Sequence, residues 1–399
     1  MTQPSPADRS QDRRLVGWLS LAQLITWGSV FYTFALLMEP VERDLGLTRV
    51  QSSLAFSLAL LAEGALAYPV GRWIDRGHER AVMTGGSLGV AACLGLHSLV
   101  DSAAGFYAVW IGLGAALSAT LYNPVFSVLT RRFPQDFRRA IITLTFLGGL
   151  ASTVFIPLSA WLIHSLGWRQ ALWVLAALHL LVCVPLHALV LRNAPPPRAM
   201  QASGDRTISP TVHLRSAPFV LIGVFVVGMM GVTAALPAHM ISMLRESGLS
   251  QAWVIAIPAS IGAIQVLGRL LLYFFEHHFD LHLANRLIPC LIPLGLGALL
   301  AAGGHPGGAL VFVLLFGLGN GMLTIVKGTA IAQYVSRDHV ASLNGALGVP
   351  TAVARALAPL LMGLLWTHEA GYSHGLWLLL AMSVLAVLAL LLAQRKALA

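Results

Sequence analysis

Gly71-Arg72-Trp73-Ile74-Asp75-Arg76-Gly77-His78-Glu79-Arg80 is the stretch around which this chain is organised. Five charged side chains, Arg72, Asp75, Arg76, Glu79 and Arg80, fall within ten residues of a chain that is only 10% charged overall. Apolar runs flank it on both sides, residues 53–70 and 81–100. Each is long enough to cross a hydrocarbon core of about 30 Å as a helix. The stretch therefore reads as a tight hairpin between two membrane spans, with its charged tip in water.

The bulk composition agrees. The chain has 399 residues, 57% of them hydrophobic, and a mean hydropathy of +0.77. A soluble domain is about 45–50% apolar and about 25% charged, so the composition is that of a polytopic membrane protein. The net charge of +9 does not indicate nucleic acid. The basic residues lie mostly in short loops, as the positive-inside rule expects, and no basic patch is interleaved with aromatics as single strands need. Cys93, Cys183 and Cys290 all fall in apolar runs and suggest neither a disulfide framework nor a metal cluster. The polar start, residues 1–14, leads into a full-length span rather than the short apolar region of a cleavable signal peptide. No cofactor or metal is expected.

Hydropathy predicts twelve spans, at about 15–38, 50–71, 81–100, 105–129, 139–164, 169–191, 217–243, 251–275, 287–302, 308–334, 344–367 and 372–393. The expected fold is all-α, with twelve transmembrane helices in two pseudo-symmetric six-helix halves, residues 1–191 and 217–399. Residues 192–216, with Pro195-Pro196-Pro197, Gly204 and Pro210, read as a cytoplasmic linker. An even span count puts both termini on one side. Loops on that side carry 18 of the 25 Lys and Arg residues against 4 on the other, so both termini are predicted cytoplasmic in an inner (plasma) membrane. A monomer is expected.

The opening stretch, Gly, three residues, Asp-Arg, Gly and then a basic residue, resembles the loop between helices 2 and 3 of the major facilitator superfamily of secondary transporters. The resemblance implies a gating role for Gly71, Asp75, Arg76 and Arg80. Gly71 would allow a close helix approach. Asp75 would meet the positive N-terminus of helix 11, near residues 342–344, in the outward-facing state. The second half carries a faded copy, Gly268-Arg269 to Glu276, with Leu272 where Gly71 stood. Further likeness is to the monocarboxylate and oxalate/formate transporter group. It is carried by Trp27-Gly28-Ser29-Val30-Phe31-Tyr32, by Glu42 to Arg49, by Arg131-Arg132-Phe133, by the Gly148-Gly149 to Pro157 spacing, and by Gly167-Trp168-Arg169. In that group an arginine of helix 8 pairs with the substrate carboxylate; Arg269 stands near that place, three rather than four residues before the Gly-like position.

Ionisable residues at membrane depth cost at least about 2.5–3.5 kcal/mol each, so each is a functional candidate. Glu63 lies mid-helix 2. It reads either as the carrier of a coupling proton, since burial favours its neutral form, or as a permanent counter-ion. Arg355 lies roughly 17 Å from either end of helix 11 and cannot reach water by extending its side chain. Lys327 and Arg269 lie nearer the cytoplasmic ends, where extension toward the interface competes with a cavity-facing role. Three cations, all in the second half, against one acid imply an arriving anion. A carboxylate suits the planar fork of arginine. Trp27, Phe31, Tyr32, Tyr122 and Asn123 of the first half would supply rings and an amide around it. His239, after Pro237, reads either as a group titrating near neutral pH or as a structural hydrogen-bonder.

Other motifs are set aside. Gly85-Gly86-Ser87-Leu88-Gly89 matches a nucleophile elbow but lies within one apolar run, with no strand before it. His277-His278-Phe279-Asp280-Leu281-His282 fits no standard zinc spacing. Gly317-Leu318-Gly319-Asn320-Gly321 lacks the Lys-Ser/Thr of a phosphate loop. The chain is read as a transporter, not an enzyme. It would move a small organic anion, a carboxylate in the first instance, by alternating access and with a proton as candidate partner. The superfamily's helix 5 antiporter signature is absent, which favours symport or facilitated transport. A proton-driven exporter of drugs or other amphiphiles is the alternative. A sensor that kept the fold would carry an added soluble domain, and the tail beyond residue 393 is short.

Overall fold

A computed structural model describes residues 6–133, 137–192, 214–275, 281–301, 305–336 and 340–398. Twelve long helices follow one another. They are α1 (Arg14–Leu45), α2 (Arg49–Trp73), α3 (Glu79–His97), α4 (Ala103–Arg132), α5 (Ala140–Leu166) and α6 (Trp168–Val190), then α7 (Ala217–Glu246), α8 (Gln251–Phe275), α9 (Leu281–Ala301), α10 (Pro306–Tyr334), α11 (Val340–Leu364) and α12 (Ser373–Leu398). Among the described residues there is no strand, only an isolated bridge between Thr367 and Gly371. Eleven of the helices are long and apolar enough to span a membrane. The exception is α3, which carries Glu79, Arg80, Thr84, Ser87 and four glycines. Its small residues serve packing: a Cβ added at Gly86 would lie 2.7 Å from Ala119 and 2.8 Å from Thr120 on α4.

Connections are short where the sequence provides a stop. Gly46 ends α1 in the left-handed conformation, φ +64°, and Arg49 already begins α2. The charged hairpin between α2 and α3 is a π-helical turn, Ile74–His78, in which Gly77 has φ +89°. A side chain there would be strained, so this glycine is what permits the turn. Helix α2 continues two residues past Gly71, and a Cβ at Gly71 would meet nothing within 4 Å. Most of the proline-rich stretch between α6 and α7, residues 193–213, lies outside the described residues.

The chain forms two compact units. One comprises residues 1–47 and 58–200, the other residues 48–57 and 201–399. Helix α2 is thus divided, its first turns belonging to the second unit. The same packing scheme recurs in each unit. In the first, α3 packs on α4, α1 on α5 and α6, and α3 on α6; in the second, α9 packs on α10, α7 on α11 and α12, and α9 on α12. Equivalent glycines mark a further crossing in each unit. A Cβ at Gly114 on α4 would strike the Ala59 backbone on α2, and one at Gly321 on α10 would strike the Gln265 backbone on α8. In both units two helices approach at backbone contact because the side chain is absent.

Candidate functional site

In the second unit the cations predicted from the sequence fall on α8, α10 and α11. Lys327 points its ammonium at the thioether of Met230 on α7, with Nζ 3.5 Å from Sδ. Sulfur is a weak acceptor, so this contact does little to solvate the charge. The Arg355 guanidinium acts on Lys327 as a nearby like charge. Arg269 has a different environment. Its Nε donates to the Gly321 carbonyl oxygen at 3.2 Å, across the close crossing of α8 and α10. The residue that the sequence places near the substrate arginine therefore also braces two helices.

In the first unit the predicted aromatics come together where helices are interrupted. A π-helical turn, Trp27–Tyr32, breaks the regularity of α1. The glycine inside it, Gly28, faces Phe155 of α5 so closely that an added Cβ would overlap the ring. The Trp27 ring lies 5.0 Å from Phe31 and 5.2 Å from Tyr122, which in turn stacks on Phe126 at 5.3 Å. Tyr32 meets Phe31 edge-on at 5.5 Å. Helix α4 pauses between Ser118 and Tyr122 and resumes there. Gly148 of α5 leaves the room that Tyr122 fills, since a Cβ would lie 2.5 Å from its hydroxyl. Gln23 donates to the Thr120 carbonyl at 2.6 Å. Its Oε1, Thr26 Oγ1 and Trp27 Nε1 have no hydrogen-bond partner among the described residues. Asn123, also expected here, has an exposed side chain. The arrangement groups flat apolar rings with buried acceptor and donor atoms beside them, the kind of lining a small planar solute takes.

The family model of the Major Facilitator Superfamily matches residues 19–279. The chain belongs to this superfamily. It is accordingly a multi-pass membrane transporter and not an enzyme. Over 96% of the chain and 95% of the relative, it is 28% identical to a 2-nitroimidazole transporter of Escherichia coli. It is also 28% identical to monocarboxylate transporter 13 of Bos taurus, over 71% of the chain and 68% of that protein. A bacterial homologue of the human lysosomal transporter Spinster has the same fold, with a TM-score of 0.73 over 98% of each chain at 16% identity. These relatives carry chemically different solutes, so membership fixes the class of machine and not its cargo.

Within this superfamily protein the remaining predicted residues separate. Glu63 is buried on α2, 6% exposed. His239 is 1% exposed and lies in a hydrogen-bond network within the second unit. Its Nε2 is 2.9 Å from the Pro359 carbonyl oxygen and its Nδ1 3.1 Å from the Tyr372 hydroxyl. Of the hairpin residues, Arg80 donates to the Ala188 carbonyl at 2.7 Å. Arg76 is exposed, and the side chain of Asp75 lies outside the described residues.

Two clusters escaped the sequence reading. Glu79 counts as a loop acid by position, yet it is fully buried. It accepts from Arg132 Nε at 2.7 Å and pairs with Arg131 at 3.5 Å, while Arg131 also donates to the Ile74 carbonyl. The turn between α2 and α3 is thereby fastened to the end of α4. The second cluster is centred on Arg49 at the start of α2. Arg49 donates to the Tyr372 hydroxyl, pairs with Glu246 at 3.3 Å, and lies over the Trp366 ring at 5.1 Å. Trp366 Nε1 donates to the other oxygen of Glu246 at 2.9 Å. The available signal was that Arg49, Glu246, Trp366 and Tyr372 all flank loops assigned to the same side of the membrane.

Proposed function

We propose that this transporter moves a small organic anion, a carboxylate, across the inner membrane, with residues 1–191 and 217–399 as the two alternating halves, residues 192–216 as the linker and both termini in the cytoplasm. The observation that carries the reading is the proximity of Lys327 and Arg355. Two like charges held at membrane depth destabilise a protein unless an opposite charge compensates them. The Lys327 ammonium rests against a thioether. A substrate carboxylate would bring a negative charge to this pair, and the Arg355 fork would bind both of its oxygens. Arg269 supports the site by holding α8 against α10. The likeness to a monocarboxylate transporter is consistent with this chemistry.

The test is a thermal-shift and binding series on the purified protein with a panel of carboxylates. Arg355→Gln is expected to abolish the stabilisation that a matching carboxylate gives. Arg355→Lys should weaken it by roughly tenfold, since charge remains but the fork is lost. Lys327→Met should also lose binding. Its melting temperature without ligand should rise, because a poorly compensated buried cation is removed. A carboxylate bound with undiminished affinity by Arg355→Gln would overturn the reading.

A second reading has an observation in its favour. The relative matched along almost the whole chain is a transporter of a 2-nitroimidazole, a planar heteroaromatic. The rings around Trp27 suit such a solute. If nitroimidazoles stabilise the protein and Arg355→Gln leaves that stabilisation intact, the exporter of amphiphilic compounds becomes the better description.

A further inference from the structure

The network around Arg49 joins four segments of the second unit that are far apart in sequence. It takes the first turn of α2, the end of α7, the end of α11 and the loop before α12. Its polarity is set by the one partner that can only accept. A proline carbonyl has no proton to give, so the His239 Nε2 at 2.9 Å from the Pro359 oxygen carries the hydrogen. In the neutral ring Nδ1 is then an acceptor, and the Tyr372 hydroxyl at 3.1 Å donates to it. With its proton turned toward the imidazole, that hydroxyl presents lone pairs to Arg49, which donates to it. The chain of donors runs from Arg49 to Tyr372 to His239 to Pro359. Ser53 tightens the same corner by donating to the Arg49 carbonyl at 2.6 Å, with its Oγ 3.5 Å from His239 Nε2. Gly363 on α11 admits Ser53, since a Cβ there would lie 2.5 Å from the serine oxygen.

We propose that His239 is a proton-binding site, and that a proton taken from the external medium at Nδ1 unseats Arg49 and releases residues 48–57 from the second unit. No bond other than N–H is made. Once Nδ1 carries a hydrogen it becomes a donor, and the Tyr372 oxygen faces an imidazolium and a guanidinium together. Its own proton then has no acceptor in the relay. The groups that act on His239 are Arg49 from α2, Tyr372 from the loop before α12 and Glu246 from the end of its own helix. Arg355 lies one turn before Pro359 on α11, and Lys327 stands beside it on α10. Apart from Glu246 and the phenol these are cations, and two positive charges that share one phenol oxygen repel. Glu246 holds Arg49 from the other side, and Trp366 donates to the same carboxylate, so loosening at Tyr372 weakens one side of this clamp.

This inference deepens the transport reading by assigning the coupling proton. It rests on that reading for its purpose and on the loop-charge orientation for the side from which the proton comes. His239 contacts Pro359, four residues from Arg355 on the same helix, about 6 Å along the axis. A change in the hydrogen bond to Pro359 is therefore transmitted to the anion-binding arginine through one turn of α11. By linkage, the factor by which the proton changes anion binding is the factor by which the anion changes proton binding.

The experiment uses the full-length protein with Cys93, Cys183 and Cys290 replaced by serine and spin labels on cysteines at Thr48 and Glu369. Distances are read by double electron–electron resonance without any substrate, at about pH 8 and about pH 3.5, a window wide enough to reach a histidine buried beside an arginine. The expected result is a short distance at the higher pH and a longer one at the lower pH. His239→Gln should keep the short distance at both values, because its amide donates to Pro359 and cannot take the proton. Tyr372→Phe should show the long distance at both, since the relay is cut without touching the imidazole. A pH-dependent lengthening that survives either substitution overturns the proposal. So does one lost in Glu246→Gln but kept in His239→Gln, which would assign the proton to the carboxylate. Because no anion is present, an error in the substrate class leaves this result unaffected.

Discussion

The two units share a packing scheme and differ in how they depart from it. In the first, α1 and α6 contain π-helical turns, α4 pauses before Tyr122 and α5 pauses at Leu150. In the second, α7, α8, α10 and α11 run without such breaks among the described residues, although prolines interrupt the hydrogen bonding of α7, α8 and α11. The first unit places rings and unpartnered polar atoms at its breaks and keeps its arginines at helix ends. The second holds half-buried cations along its helices. One half is specialised through its backbone and the other through its charge. Irregular backbone at membrane depth is tolerated where protein or a cavity surrounds it. On the proposed function, the breaks are where the first unit would face a solute and the cations where the second would.

The comparison is most easily broken at the charged end of the first unit. Glu79 is the buried acid that compensates two arginines, and the second unit has no such acid among its described residues. Glu79→Ala leaves Arg131 and Arg132 without their carboxylate. It should cost about 3–5 kcal/mol, enough to lower the melting temperature steeply or abolish recovery of folded protein. Glu79→Gln retains an acceptor and should cost less. If both variants melt like the parent, the turn between α2 and α3 is not held by this acid.

The repeat itself is tested at the paired crossings. Gly114→Ala and Gly321→Ala each put a methyl group against a neighbouring backbone that cannot rotate away. Each should destabilise by roughly 1–3 kcal/mol as an overpacking change. Equal losses of thermal stability would sharpen the comparison: the helix crossings are shared and the specialisation lies elsewhere. A large loss at Gly114 with none at Gly321 would mean that the second unit relaxes where the first does not, and the equivalence would fail.

Much of the plan was legible in the sequence because of how membranes constrain it. A charge inside an apolar run stands out whatever its partners, so Lys327 and Arg355 were visible at once. Loop charge and span length needed no tertiary information either. The π-helical turn at Trp27–Tyr32 was not legible, because it contains no proline. It is associated with Gly28 packing on Phe155, a contact made 127 residues away along the chain, as the added-Cβ overlap makes plain. The network at Arg49 was hidden for the same reason, its partners Glu246 and Tyr372 lying 197 and 323 residues further on. Nor could 38 glycines be sorted by sequence into those that admit a helix and those that do not.

The smallest expected effect concerns the two glycines of the opening stretch, and it separates two uses of one motif. Gly77 has φ +89°, with Arg131 Nη2 3.8 Å from where a Cβ would stand. Gly77→Ala should therefore cost about 1 kcal/mol through backbone strain, since the space is open and no clash adds to it. Gly71 is helical and its surroundings are empty to 4 Å. In this conformation Gly71→Ala should leave melting unchanged or raise it slightly, by at most about 0.5–1 kcal/mol of helix propensity. The superfamily resemblance instead gives Gly71 a close helix contact in the outward-facing state. If that contact forms, Gly71→Ala should slow transport while thermal stability is kept, a split that a merely structural glycine would not produce. Wild-type transport in the Gly71→Ala protein, together with wild-type melting, would confine the motif's requirement for glycine to the turn at Gly77.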